Sequence, residues 1–180
     1  AWLRRAAARP APPLRLSAPS RLLDDDARVS TPFGEGRAEA LRRGHLIHAL
    51  LQLLPELPEA DRAAAATRFL ARHPELSDAA RAEMLKTTLA TLQHPEFAAI
   101  FAPGGRSEAA IVGTLDGGRM VNGRVDRLVV TDTVIQIIDY KTDRPAPRDL
   151  DGVGAAYTVQ MAAYRAAMQQ LFPPPRYTVR

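Results

Sequence analysis

A mixed α/β fold is what this sequence predicts: an αβββαβ core, preceded by an N-terminal helical insertion. Two observations carry that expectation. As far as residue 102 the apolar positions recur at helical spacings, and after Pro103-Gly104-Gly105 they alternate as strand positions do. A helical pattern then returns between Ala155 and Leu171, followed by a short apolar stretch at the end of the chain. With 180 residues, 46% of them apolar, the chain is long enough for one globular domain with a real core.

Taken in order, residues 1–35 hold Pro10, Pro12, Pro13, Pro19 and Pro32 and the run Asp24-Asp25-Asp26, with no lasting periodicity. Proline fixes φ and removes a backbone donor, so the segment is expected to be an extended linker lying across another domain, with disorder as the alternative. The domain proper is expected over 36–180, its helical part over 36–102 and its strands and last helix over 103–180. From Glu35 to Leu54 the residues Leu41, Ile47, Leu50, Leu51 and Leu54 form a helical stripe that Pro55 ends. A second helix is expected over Glu59 to Arg72, before His73-Pro74, and a third from Asp78, as N-cap, to Leu92. Pro95 suits the first turn of a short helix through Ile100.

Strands are expected over Ser107–Leu115, Met120–Val130 and Val134–Thr142, with a turn at Asp116-Gly117-Gly118 and a bulge at Gly123. A loop with Pro145, Pro147, Gly152 and Gly154 leads to the last helix, and a final strand begins near Tyr177. Starting without Met and ending inside a strand pattern, the sequence reads as a piece of a longer protein.

Composition narrows the chemistry. The absence of cysteine excludes disulfides, zinc fingers and iron–sulfur clusters, and suits a cytoplasmic setting. No apolar run is long enough to span a membrane, so no membrane partner is expected. No GxxxxGK[ST] loop is present, so no ATP site is expected in this chain. A net charge of +4 is compatible with nucleic acid without establishing it.

Chemistry concentrates at the end of the third expected strand. Side chains two apart share a face, so Ile135, Ile137, Asp139 and Lys141 form one row that begins apolar and ends in a carboxylate and an ammonium. Lys141 is one of only two lysines, which makes its placement two residues after Asp139 more telling than usual. By itself that spacing is commonly an ordinary ion pair at a solvated strand end. Asp126 changes the balance, because pairing about the Asp132 turn sets it opposite or diagonal to Asp139. Two carboxylates pressed together repel, and a divalent cation removes the conflict. Oxygen ligands select Mg²⁺ or Mn²⁺ over zinc.

Four segments together carry a resemblance: Gly44-His45-Leu46-Ile47-His48, Gly123 to Leu128, Ile138-Asp139-Tyr140-Lys141-Thr142, and Gln160-Met161-Ala162-Ala163-Tyr164. Their order and motifs resemble the RecB-like branch of the PD-(D/E)XK nucleases, and within it the C-terminal nuclease domain of the AddA subunit of AddAB helicase–nucleases. The resemblance implies a restriction-endonuclease-like fold and metal-dependent hydrolysis of DNA. It implies that His48, Asp126, Asp139 and the carbonyl of Tyr140 hold the metal, while Lys141 serves the attacking water and the phosphate. His45, three residues before His48, remains the competing histidine. Glu108, Gln160, Tyr164, Thr142, Arg124 and Arg127 are implied as auxiliary or DNA-contacting residues. The implied partners are single-stranded DNA from an unwound duplex, helicase domains N-terminal in the same parent chain, and a second subunit of AddB type. A rival reading is a catalytically inactive nuclease-like fold kept as an interaction module.

Overall fold

The computed structural model describes residues 15–17, 35–115, 118–142, 145–174 and 176–180. Most of the expected linker, and Asp116-Gly117 of the expected turn, lie outside the described residues. Within the linker, Arg15–Ser17 forms strand β1, which joins the sheet instead of lying apart from it.

Helix α1 runs Glu35–Leu53, and a single 3₁₀ turn at Leu54–Glu56, with Pro55 near its start, breaks the chain away from it. Ile47, Leu50, Leu51 and Leu54 of the expected stripe are buried, together with Leu46, whereas Leu41 is 54% exposed and lies off the core. Helix α2, Glu59–Leu70, stops two residues short of its expected end. Helix α3, Asp78–Gln93, starts where expected, but Ser77 is its N-cap. The Ser77 hydroxyl accepts from the Ala80 N–H at 3.2 Å, a pairing worth about 1 kcal/mol. These helices enclose one apolar core with Leu70, Leu76, Met84, Leu92 and Phe101. Where a short helix is expected from Pro95, only a 3₁₀ turn forms, at Pro95–Phe97.

The sheet follows. Strand β2, Arg106–Leu115, pairs antiparallel with the long β3, Arg119–Val130. Strand β4, Val134–Ile138, pairs antiparallel with the far end of β3, and β5, Thr178–Val179, lies parallel to β4. On β3, β1 is parallel to residues 119–121. Helix α4, Ala155–Leu171, covers the sheet through a second core that includes Ile111, Val125, Ile135, Tyr164, Ala167 and Met168. A mixed α/β architecture of this order is consistent with the restriction-endonuclease-like fold.

Two expectations for the strands need correction. Gly123 is not a bulge, since the register runs unbroken through Ala110↔Arg124, Ile111↔Gly123 and Val112↔Asn122. It is small because Tyr164 of α4 lies on it; a Cβ there would come 2.4 Å from the Tyr164 hydroxyl. Strand β4 also ends at Ile138, four residues early. The cause is local: the Tyr140 N–H donates to Asp126 Oδ2 at 2.5 Å, so the backbone donor is spent on a side chain and not on a strand partner.

Candidate active site

Three segments meet where β4 ends beside the interior of β3. Continuing the register Arg127↔Ile138 by one residue on each strand sets Asp126 opposite Asp139. Helix α1 brings His48 to the same place, with its Nδ1 3.2 Å from Asp126 Oδ1. Lys141 pairs with Asp139 Oδ2. The carboxylates are largely withdrawn from solvent, with side-chain exposures of 16% for Asp126 and 10% for Asp139. Carboxylates so placed need opposite charge or donors nearby, and the chain supplies both.

Electrostatics tie the group together. The hydrogen bond to Asp126 raises the His48 pKa above its ordinary value against the opposing effect of burial. The charges of Asp126 and Asp139 add to the rise, and Lys141 subtracts from it. For Asp126, burial pushes the pKa upward. Hydrogen bonds from His48 and the Tyr140 N–H, with the charges of His48 and Lys141, outweigh it and leave the carboxyl below its ordinary value. Asp126 is therefore ionised at neutral pH. His45 is exposed, so geometry selects His48 as the histidine of this cluster.

Glycine and threonine explain how α1 gets this close. A Cβ on Gly44 would come 2.8 Å from Thr142 Oγ1, so only the bare backbone lets α1 lie against the segment carrying Asp139 and Lys141. Thr142 thus packs on the helix that presents His48.

Tyr140 contributes more than backbone. Its ring packs on the helical core, edge-on to His48 at 5.7 Å and stacked with Phe101 at 6.2 Å between centroids. Burial pushes its phenol up to about 12, so the ring stays neutral. Sequence reasoning used only its carbonyl; an aromatic residue between two site residues was the available signal.

Not every expected residue joins the cluster. Arg127 is 1% exposed, so its expected contact with phosphate is corrected. Its Nε donates to the Ile100 carbonyl at 2.6 Å, Nη1 to Ser107 Oγ at 3.0 Å and Nη2 to the Ala102 carbonyl at 3.2 Å. It staples the 100–105 segment to the sheet. Tyr164, 2% exposed, donates its hydroxyl to the Arg124 carbonyl at 3.1 Å, which makes it a core anchor in place of a DNA-contacting residue. Gln160 is half-buried one helical turn earlier on α4. Arg124 stays exposed and pairs with Glu108 at 3.3 Å.

Glu108 holds a backbone φ of 52°, the one non-glycine in the left-handed region among the described residues. The β2–β3 ladder passes from Ser107↔Arg127 to Ala109↔Val125 and skips the rung of Glu108 and Asp126. Such a conformation costs about 1–3 kcal/mol and needs its surroundings to hold it. The strain therefore sits opposite a site carboxylate.

Beyond the expected residues, Tyr157 in the first turn of α4 lies under Lys141, its ring centre 4.5 Å from Nζ. That contact steadies the ammonium by cation–π attraction.

The donor set, two carboxylates and an imidazole, suits a hard divalent ion, and each carboxylate oxygen retains lone-pair capacity. Among the described residues, no three His, Asp or Glu side chains stand close enough to form a ready metal cage. His48 and Lys141 hold the acids in internal pairings that an ion would have to replace.

A mixed sheet that brings together one acid within a strand and an acid and a lysine just past the end of its neighbour defines a class of phosphodiester-cleaving domains. The family described as the PD-(D/E)XK nuclease superfamily matches residues 22–178, and the chain belongs to that superfamily. No curated protein matches the chain.

Proposed function

We propose that this chain is the nuclease module of a helicase–nuclease, hydrolysing phosphodiester bonds in single DNA strands released by unwinding, in the service of double-strand break repair. The observation that carries the reading is the convergence of His48, Asp126, Asp139 and Lys141 from α1, β3 and the end of β4. The motif string over 44–164 supports an AddA-type assignment. With it come helicase domains in the same parent chain, a second subunit of AddB type and a cytoplasmic location.

In this reading His48, Asp126 and Asp139 hold Mg²⁺ or Mn²⁺, with the Tyr140 carbonyl as the backbone share. A divalent ion there lowers the pKa of water and polarises a phosphoryl oxygen. Lys141, 36% exposed and braced by Tyr157, meets the phosphate and offsets the charge that develops on it. Asp126, kept ionised by its donors, holds the Tyr140 backbone and so the position of the Asp139–Lys141 segment. Water adds to phosphorus and the P–O3′ bond breaks, leaving a 5′-phosphate and a 3′-hydroxyl. Arg124 is the exposed cation nearest on β3 for the flanking phosphates.

The test is Mg²⁺-dependent cleavage of a labelled single-stranded oligonucleotide by wild type, Asp139→Ala and Lys141→Ala. Both variants are expected to lose at least a hundredfold in rate while keeping the wild-type circular dichroism. Undiminished cleavage by Lys141→Ala removes its assigned role.

A second reading, an inactive nuclease-like fold serving as an interaction module, draws on the internally paired acids. Calorimetric titration of Mn²⁺ separates the two. Binding lost in Asp139→Ala supports the nuclease, and identical titrations support the inactive module.

A further inference from the structure

The Asp139–Lys141 pair stands between two cavities and lines both. The first, about 570 Å³, is walled by Ile47 and Leu51 of α1, Phe97, Phe101 and Tyr140. On the other side lies a cavity of about 660 Å³, walled by Pro147, Leu150, Val153, Tyr157 and Met161. Ala146 borders both. Each has the size of a small-molecule site and mostly apolar walls. A phosphate alone has no use for either. The features to explain are two mostly apolar hollows that share a cationic and acidic wall, with an aromatic ring in each.

We propose that these cavities are nucleobase subsites that receive the unpaired bases on the two sides of the scissile phosphate. The proposal rests on the nuclease reading above and deepens it by naming how a single strand is distinguished from a duplex. The centre shared by both cavities fixes where the phosphate lies, and the bases attached through neighbouring sugars then fall to either side. Bases in a duplex are stacked and paired, and cannot enter separate hollows without being pulled apart. Unpaired bases stack on aromatic faces with little regard to sequence, because every base has a π-face. Phe97, 38% exposed at the mouth of the first cavity, offers such a ring to an incoming base. Leu150, 87% exposed, offers an apolar edge at the second. Neither side chain takes part in the His48–Asp126–Asp139–Lys141 cluster, so removing either leaves that cluster standing.

The experiment compares two labelled oligonucleotides of equal length: an ordinary single strand and one in which every base is replaced by an abasic spacer. They carry the same phosphates, so the electrostatic attraction is common to both. Wild type, Phe97→Ala and Leu150→Ala are measured for kcat/KM in Mg²⁺ and for affinity by fluorescence anisotropy. Wild type is expected to prefer the ordinary strand by tenfold or more. Phe97→Ala is expected to lose about tenfold on that strand and nothing on the abasic one. Leu150→Ala is expected to lose less, about threefold, with the same selectivity, because an aliphatic edge gives a base no ring to stack on. Retained cleavage of the abasic strand shows that each variant is folded.

Equal treatment of both strands by wild type, or equal loss on both by both variants, overturns the proposal and leaves the cavities to another occupant, such as a protein segment. Should wild type cut neither strand, the nuclease reading fails on its own. The anisotropy comparison then still decides the cavities: a preference for the ordinary strand that Phe97→Ala removes upholds them, and no preference overturns them.

Discussion

Replacing Gly123 by alanine should cost far more than a methyl group in a strand ordinarily does. The new Cβ would stand 2.4 Å from the Tyr164 hydroxyl oxygen, 2.7 Å from Cε1 and 2.9 Å from Cζ. Tyr164 cannot swing clear, because it is 2% exposed and surrounded by the core between α4 and the sheet. Forcing an extra methyl into such packing costs about 1–3 kcal/mol. Displacing the ring also breaks its hydrogen bond to the Arg124 carbonyl, for about another 1 kcal/mol. The expected total is about 2–4 kcal/mol, or roughly 5–15 °C in Tm for a chain of this size. Urea unfolding followed by circular dichroism measures it. The decisive comparison is the same substitution in a Tyr164→Leu background, where the ring is gone. There alanine should be neutral or stabilising by about 0.5–1 kcal/mol, since glycine is the poorer strand residue. A penalty of equal size in both backgrounds, or one below about 0.5 kcal/mol in wild type, would refute the close-approach argument.

The same logic gives Gly44→Ala a mixed outcome. Its helix propensity gain of about 1 kcal/mol is opposed by the 2.8 Å contact with Thr142 Oγ1, so thermal melts should show no gain in wild type and a gain of about 1 kcal/mol with Thr142→Ala present. Arg127→Met should destabilise by about 1–3 kcal/mol in denaturant titrations, chiefly because the half-buried Ile100 carbonyl loses its donor. Glu56→Gln, at the 65% exposed end of the Arg127 ion pair, should change stability by less than about 0.5 kcal/mol. Folded Arg127→Met should keep the wild-type salt dependence of DNA binding, whereas a phosphate contact would flatten it. Mn²⁺ affinity, measured by calorimetry, should go on increasing with pH above the ordinary histidine value of 6.5, because a raised His48 pKa prolongs the competition between proton and ion. A plateau already reached at pH 6.5 would remove His48 from the ligand set.

How much of this was legible beforehand differs between elements for physical reasons. Helices α1 to α4 could be placed to within a few residues, because periodic apolar faces and prolines are local signals. Asp126, Asp139 and Lys141 could be grouped because a short turn constrains antiparallel neighbours. Alternation alone extends β4 to Thr142, because it carries no trace of the Tyr140 N–H being taken by Asp126, a side chain 14 positions earlier. A strand glycine such as Gly123 reads as a bulge, while the real cause, Tyr164, lies 41 residues away. Arg127 is illegible for a similar reason. An arginine on a strand looks solvated until the loop whose carbonyls it binds is folded against it.

The internal pairings of the acids at the site carry a pH window of their own. Asp126, held below its ordinary 3.8, contributes stability that is present above that value and lost as the pH falls through its lowered one. His48, held above its ordinary 6.5, contributes stability that is full below that value and lost as the pH rises through its raised one. Their pairing is therefore strongest between those limits, where the carboxylate is charged and the imidazole protonated. A divalent ion works against the same window from the other side, since it needs the carboxylate charged and the imidazole neutral. On the proposed nuclease reading, an ion held by these side chains would have to displace a proton from His48 and loosen Lys141 from Asp139, and the ammonium so freed would be the one placed to meet the phosphate.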